Sequence, residues 1–365
     1  MPETPLLTRT TLPRLAVIGL VTLGAAGAFA YAGGWLSPDR LTPARIVGAL
    51  QALSGGEPGF RRNHAKGVCV TGWFDSSGQA AALSKAVLFA PGAHVPVVGR
   101  FALAGPMAFQ ADKPASVRSL ALRFLPPGAP EWRTGMNDIP VFPVNTPQGF
   151  YDQLSLSRPD PATGKPDPAR RQAFLDAHPE TVRAMALLGR RQVSSGFAND
   201  TYNGLNAFRF VNAAGEAVAV RWAAVPVQPF AAPDAVQAAG TDKNALFDAL
   251  AGQMHEHPLQ WRIVVTIGQP GDSTADATLP WPPERRQVEA GTVTLDKIES
   301  EDTGACTDVN YDPLVLPPGI EASDDPLLSA RSAAYARSFT LRAGERSAKP
   351  PSAVGATELQ AGAQP

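Results

Sequence analysis

Gly67-Val-Cys-Val-Thr-Gly-Trp-Phe74 decides how the rest of this chain is read. Val68, Val70 and Phe74 fall on one parity of the stretch, the period-two spacing of a half-buried strand rather than the 3.6-residue spacing of a helix. Outward from it, similar strand-like stretches recur around Val95–Phe101, Ser119–Phe124, Ala207–Val211, Val218–Ala224 and Arg262–Gly268. Ala213-Ala-Gly-Glu216 makes a hairpin of the two stretches that flank it. Helical patterns interrupt the series. Pro43–Leu53 has Thr42 as N-cap and Pro43 in the first turn, and Pro168–Ala177 follows an Asp167 cap; Glu180–Leu188 and Lys243–Met254 complete the set. Strands in series with helices inserted, and no strand–helix–strand alternation, predict an antiparallel α+β fold that is a candidate for a closed barrel.

The chain has 365 residues, 44% of them apolar, and carries 32 Lys+Arg against 33 Asp+Glu. That balance argues against a nucleic-acid partner, which needs a basic face to meet phosphates. The 36 prolines and 33 glycines predict plentiful loops. Two cysteines exclude a disulfide scaffold and any four-cysteine metal site.

No charged residue lies between Arg14 and Asp39, and Arg9 and Arg14 precede the apolar run. This predicts an export segment over residues 1–37, long enough to span a bilayer as a helix and oriented with its N-terminus in the cytoplasm. A retained anchor is the favoured reading, while Ala28-Phe-Ala30 would also suit a signal peptidase. In an exported domain Cys69 and Cys306 are natural disulfide partners, with two buried thiols as the alternative. The functional domain is expected over residues 38–342. Residues 343–365, mostly Ala, Gly, Pro, Ser and Gln, read as a disordered tail.

Among five histidines, His255-Glu-His257 has a metal-like spacing, but it ends a polar helix before Pro258 and reads as solvated surface. His64 stands in Arg61-Arg62-Asn63-His64-Ala65-Lys66-Gly67, a donor-rich turn between a helix and a strand. A histidine held there can act as acid and base, although a histidine in a basic turn is more often structural. Arg331-Ser-Ala-Ala-Tyr335 lies in the helical stretch Leu327–Leu341, where positions four apart share a face. The Arg331 guanidinium can therefore reach the Tyr335 phenol and favour the phenolate, a metal ligand. Periodicity alone favours the plainer reading, a core tyrosine beside a surface arginine.

Together these residues resemble the haem-containing catalases, in particular the short catalase-related peroxidases of bacteria. The resemblance runs from about Pro58 to Arg342. Arg61-x-x-His64-Ala-Lys-Gly67 matches the distal histidine motif, and Pro96-Val-Val-Gly-Arg100-Phe101 the strand with a propionate-binding arginine. Met136-Asn137-Asp-Ile-Pro140-Val-Phe142 is similar to the distal asparagine segment. Tyr311-Asp-Pro313, Pro317-Pro-Gly-Ile-Glu-Ala-Ser323 and Arg331-x-x-x-Tyr335 follow the proximal segment, the most specific match.

The resemblance implies a catalase-like antiparallel β-barrel with inserted and flanking helices, binding haem b. Tyr335 would be the axial ligand of the iron, as tyrosine is in catalase, with Arg331 keeping the phenolate charged. Arg61, Arg100 and Arg342 would hold the propionates, a task for a permanently charged planar donor. His64 would move the peroxide proton, Asn137 would align the O–O bond, and Phe142 would wall the pocket. The implied partners are hydrogen peroxide, organic peroxides as a further substrate, and small organic electron donors. A homo-oligomer is left open, and the implied location is the periplasmic side of the inner membrane.

Two departures from the family pattern bear on the activity. Ala102 stands where many catalases carry a serine bonded to the distal histidine, so His64 is expected to be held less firmly. Asn206 stands where they carry a proximal histidine. The chain also lacks the long N-terminal arm and extra C-terminal domain of larger members. These features predict peroxidase activity exceeding catalase activity. The alternative is a haem-binding or lipid-binding module of the same fold with little turnover.

Overall fold

A computed structural model describes residues 11–33, 35–37, 40–160, 163–234 and 243–361. Strands β1 (Gly67–Ser76), β2 (His94–Leu103), β3 (Arg118–Phe124) and β4 (Trp132–Asn137) form an antiparallel meander. The sheet continues through β5 (Tyr202–Asn203) to β7 (Ala217–Pro226), and from the other side of β1 through β9 (Gln287–Ser300) to β8 (Leu259–Ile267). A β7–β8 pairing closes this ring of eight strands into a barrel. The short strands β6 (Phe208–Val211) and β10 (Ile320–Ala322) extend from β7 outside the ring.

The parity of the opening stretch is what the barrel uses. Val68, Val70 and Phe74 are fully buried in the barrel core, where Phe101, Trp132, Tyr202 and Trp261 also pack. The hairpin at residues 213–216 forms, with Val211 opposite Ala217. The longest strand, β9, was not legible as one strand, and its registers explain why. Shifts beside Ile263/Val264 on one neighbour and Thr71/Gly72 on the other break the alternation twice. At the first shift Gly291 has φ 153°, and a β-carbon there would lie 2.2 Å from the Asp75 carbonyl oxygen.

The helices are α1 (Thr11–Ala32), α2 (Pro43–Ser54), α3 (Pro147–Leu156), α4 (Pro168–Ala177), α5 (Pro179–Leu188), α6 (Ala245–Glu256), α7 (Pro326–Gly344) and α8 (Ala356–Ala361). The apolar helix α1 has 22 residues and buries none of them; Arg9, expected to flank it, lies outside the described residues. Thr42 caps α2 as expected, accepting from the Arg45 backbone N–H at 3.3 Å. Helix α2 packs on α7 and α3. Cys69 and Cys306 are bridged across a sequence separation of 237 residues.

The expected disordered tail is a correction. Described residues 343–361 dock on the barrel: Glu345 pairs with Arg62 at 2.6 Å, and Lys349 with Asp302 at 2.8 Å. Ser300 donates to the Val354 carbonyl, and His255 Nε2 meets the Leu359 carbonyl at 2.9 Å. Val354 and Leu359 are buried. A segment with so few apolar anchors reads as disordered by composition; its partners lie on distant elements and leave no local signal. Residues 362–365 of that tail lie outside the described residues.

Candidate functional site

Two rungs of the sheet carry one wall of the site. Paired residues in an antiparallel sheet point to the same face. The first rung runs Gly67, Ala102, Ser119 and Asn137 across β1 to β4, and the second runs Cys69, Arg100, Ala121 and Gly135. The intervening residues Val68, Phe101, Leu120 and Met136 are in the core, so these rungs lie on the outside of the barrel. Ala102, Ala121 and Gly135 are small, and they leave a shallow floor between the polar residues. A β-carbon at Gly135 would lie in ordinary contact with Arg331 Nη2 at 3.7 Å and Tyr335 Oη at 3.8 Å, so both side chains reach over this part of the floor.

Helix α7 is the opposite wall. Asp325 caps it, accepting from the Leu327 N–H at 2.9 Å, with Pro326 in the first turn. The second Asp325 carboxylate oxygen accepts from Asn206 Nδ2 at 2.7 Å, and Asn206 Oδ1 in turn accepts from Arg331 Nη1. Asn206 thus ties the helix start to the arginine one turn before Tyr335. Arg331 was expected to reach the phenol oxygen; its guanidinium stands 5.9 Å from the ring centroid and its hydrogen bond goes to Asn206. Ile46, Val47 and Leu50 of α2, with Phe142 and Phe150, close the remaining sides with apolar groups.

One cavity between these walls is lined by His64, Asn137, Phe142, Arg331 and Tyr335 together with Arg61, Arg100 and Arg342. Residues spread over most of the chain therefore converge. His64 sits at φ 53°, an uncommon conformation for a residue with a side chain, held by Asn63 Oδ1, which accepts from the N–H of His64 and that of Gly105, each at 3.0 Å. Burial, followed by the facing charges of Arg100, Arg331 and Arg61, lowers the His64 pKa from 6.5 to about 3. The imidazole is neutral at physiological pH. Asn137 Oδ1 is buried and has no hydrogen-bond partner.

The three arginines meet at one end of the cavity around a residue the sequence reading missed. Glu301 accepts from Arg100 Nε at 2.7 Å and Nη2 at 2.6 Å, and lies 3.5 Å from Arg61 Nε. Burial alone would raise the Glu301 pKa; Arg100, then Arg61 and Arg342, bring it to about 2. Arg61 also donates to the Cys306 and Val309 carbonyls, and Arg342 to those of Thr307 and Val309. Burial and mutual repulsion lower the pKa values of Arg61 and Arg342. Three guanidinium groups against one carboxylate leave two positive charges in a half-enclosed site, which suits a ligand with two carboxylates. Nothing local in Glu301-Asp302-Thr303 marks this role, because the pairing is made across a sequence separation of 201.

The sequence model of the Catalase family matches residues 58–358. The chain belongs to the catalase family. It is 37% identical to a catalase-related peroxidase of Synechococcus elongatus over 90% of this chain and 93% of the relative. Identity to a catalase-related peroxidase of Mycolicibacterium paratuberculosis is 33%, over 85% of this chain and 98% of the relative. Among solved structures, a fungal catalase superposes with a TM-score of 0.70 at 19% identity, covering 80% of this chain and 60% of that one. Catalase A from Saccharomyces cerevisiae gives 0.68 at 20% identity, covering 78% and 61%. Catalase-family membership accounts for the barrel, and one expectation drawn from the resemblance needs correcting. Ala102 was expected to leave His64 loosely held, yet Ser119 Oγ lies 2.9 Å from His64 Nδ1. The hydroxyl comes from β3, one strand over on the same rung.

Proposed function

We propose that this protein is a haem b-dependent peroxidase that reduces hydrogen peroxide, and organic peroxides, with small organic electron donors, and has weaker catalase activity. That it is an oxidoreductase acting on peroxide follows from the family and its two catalase-related peroxidase relatives. The observation that carries the finer reading is the single cavity in which an apolar crevice, a tyrosine, a neutral histidine and a doubly positive rim come together. The residues present fit haem. Tyr335 of α7 would hold the iron, and the charge of the rim would meet two propionates. Asn137, whose buried Oδ1 has no hydrogen-bond partner, lines the same cavity.

Bound haem supplies the iron centre at which the O–O bond is broken. The chain supplies the proton traffic. His64 Nδ1 is engaged by Ser119, which leaves Nε2 for the cavity. There the neutral ring accepts the proton from one peroxide oxygen and returns it to the other, so the departing species is water rather than hydroxide. Asn137 holds the peroxide by a hydrogen bond from its amide, and Phe142 with the α2 side chains excludes water. Arg331, fixed by Asn206, places a guanidinium 5.9 Å from the Tyr335 ring centroid.

We propose further that α1 holds the enzyme to the inner membrane with the domain on the periplasmic side; its length and apolar character support an anchor or an export signal. The test of the function is an absorption spectrum of the purified chain offered hemin, followed by peroxide. Tyr335→Phe is expected to abolish tight haem binding or shift the spectrum. His64→Ala is expected to keep the haem and slow peroxide cleavage about 10²-fold or more. Colourless protein that does not take up hemin overturns the proposal.

A further inference from the structure

We propose that Ser119 is the positioning residue for His64, and that it fixes which ring nitrogen carries the proton. This deepens the function proposed above and rests on His64 being the group that accepts the peroxide proton. Ser119 Oγ has two neighbours, His64 Nδ1 at 2.9 Å and the Ala102 carbonyl oxygen at 3.3 Å. The hydroxyl has one hydrogen to give and lone pairs to receive with. A carbonyl can only accept. If the hydroxyl hydrogen went to Nδ1, its lone pairs would be pressed toward the carbonyl oxygen with nothing between them. The arrangement that satisfies both contacts has Ser119 donating to Ala102 and accepting from an N–H at His64 Nδ1. The neutral ring then carries its hydrogen on Nδ1, and Nε2 presents a bare lone pair to the cavity, as a proton acceptor must.

The same arrangement serves the protonated ring. When Nε2 takes the peroxide proton, Nδ1–H remains a donor to Ser119, so no hydroxyl has to turn during the step. The rung geometry makes this possible: Ala102, Ser119 and Asn137 are paired across three adjacent strands on one face, so the strand that supplies the hydroxyl is flanked by the one that supplies its acceptor and the one that supplies the second peroxide-facing group. Ser119 is buried, which protects the pair from competing water. The contact also restrains a ring whose backbone, at φ 53°, has no intrinsic preference for its position.

The experiment has two arms. Nitrogen-15 NMR of the histidine rings, on the full chain as purified and loaded with zinc protoporphyrin as a diamagnetic stand-in, reads the tautomer directly, with His64→Ala giving the assignment. The expected result is hydrogen on Nδ1 in the native protein; hydrogen on Nε2 overturns the proposal whether or not any variant folds. In the second arm, stopped-flow peroxide cleavage by the haem-loaded protein is expected to fall about tenfold in Ser119→Ala, the loss of one buried hydrogen bond, and to return to within about threefold of native in Ser119→Thr, which keeps a hydroxyl. Native rates in Ser119→Ala, with slow His64→Ala, overturn this inference alone. Native rates in His64→Ala overturn the proton-acceptor reading beneath it.

Discussion

Replacing Glu301 by glutamine tests whether the arginine cluster is organised around a charge. The carboxylate is nearly enclosed, with 9% of its side chain exposed, and is held at 2.6 and 2.7 Å by Arg100. Its pKa is about 2 in the folded chain against 4.5 for an ordinary glutamate. A group shifted that far contributes about 3 kcal/mol at neutral pH. Because the folded pKa is depressed, this stabilisation is complete above pH 4.5 and is lost as the pH falls toward 2. Near pH 3 roughly half of it should remain. Glutamine keeps the shape and some hydrogen bonds but leaves three facing guanidinium groups with no anion. Urea unfolding of the detergent-solubilised chain, followed by near-ultraviolet circular dichroism at pH 7 and pH 3, should give a native-minus-variant difference of about 3 kcal/mol that shrinks by about half at the lower pH. An equal stability of the two proteins at pH 7, or a gap that does not change with pH, would refute the reasoning.

Three further outcomes follow from the site and its frame. Because His64 is neutral down to about pH 3, peroxide cleavage should be flat from pH 8 to pH 5 in stopped-flow; a histidine at its ordinary pKa would lose about 30-fold at pH 5. Removing the bridge in Cys69→Ala/Cys306→Ala should lower unfolding stability by on the order of 5 kcal/mol in the chain-entropy model, and calorimetry of the two proteins would measure it. Ending the chain after Arg342 removes the Arg62 partner Glu345 and the buried Val354 and Leu359. A loss on the order of 4 kcal/mol in urea unfolding is expected, and an unchanged midpoint would return residues 343–361 to the status of a tail.

What could be read in the sequence was whatever is encoded locally. The parity of β1, the Thr42 and Asp167 caps and the hairpin at residues 213–216 are all short-range signals, and each formed. Tyr335 and His64, which line one cavity, were singled out through motifs and not through periodicity, which alone would have left both as ordinary residues. The losses have a common cause. The two bulged shifts hid β9, and Thr146-Pro147, a cap and first turn of the kind recognised at Thr42-Pro43, opens the unread helix α3. Glu301 and Ser119 act through partners on other strands, and Ser119 gave no signal except the absence of a hydroxyl at Ala102. A missing group at one position of a sheet can be made good by its cross-strand neighbour, and only the register reveals the exchange.

The bridge between Cys69 and Cys306 has one more consequence. These are the chain's two cysteines, and both are committed to it. An enzyme that takes in peroxide stands in the path of the reagent that converts thiolates stepwise to sulfenic and sulfonic acids. This one offers no sulfhydryl to that ladder. The cysteine sulfur sits already oxidised behind the crevice, packed against Tyr311 and Val309, so the substrate that would corrode a cysteine-bearing pocket meets no thiol there.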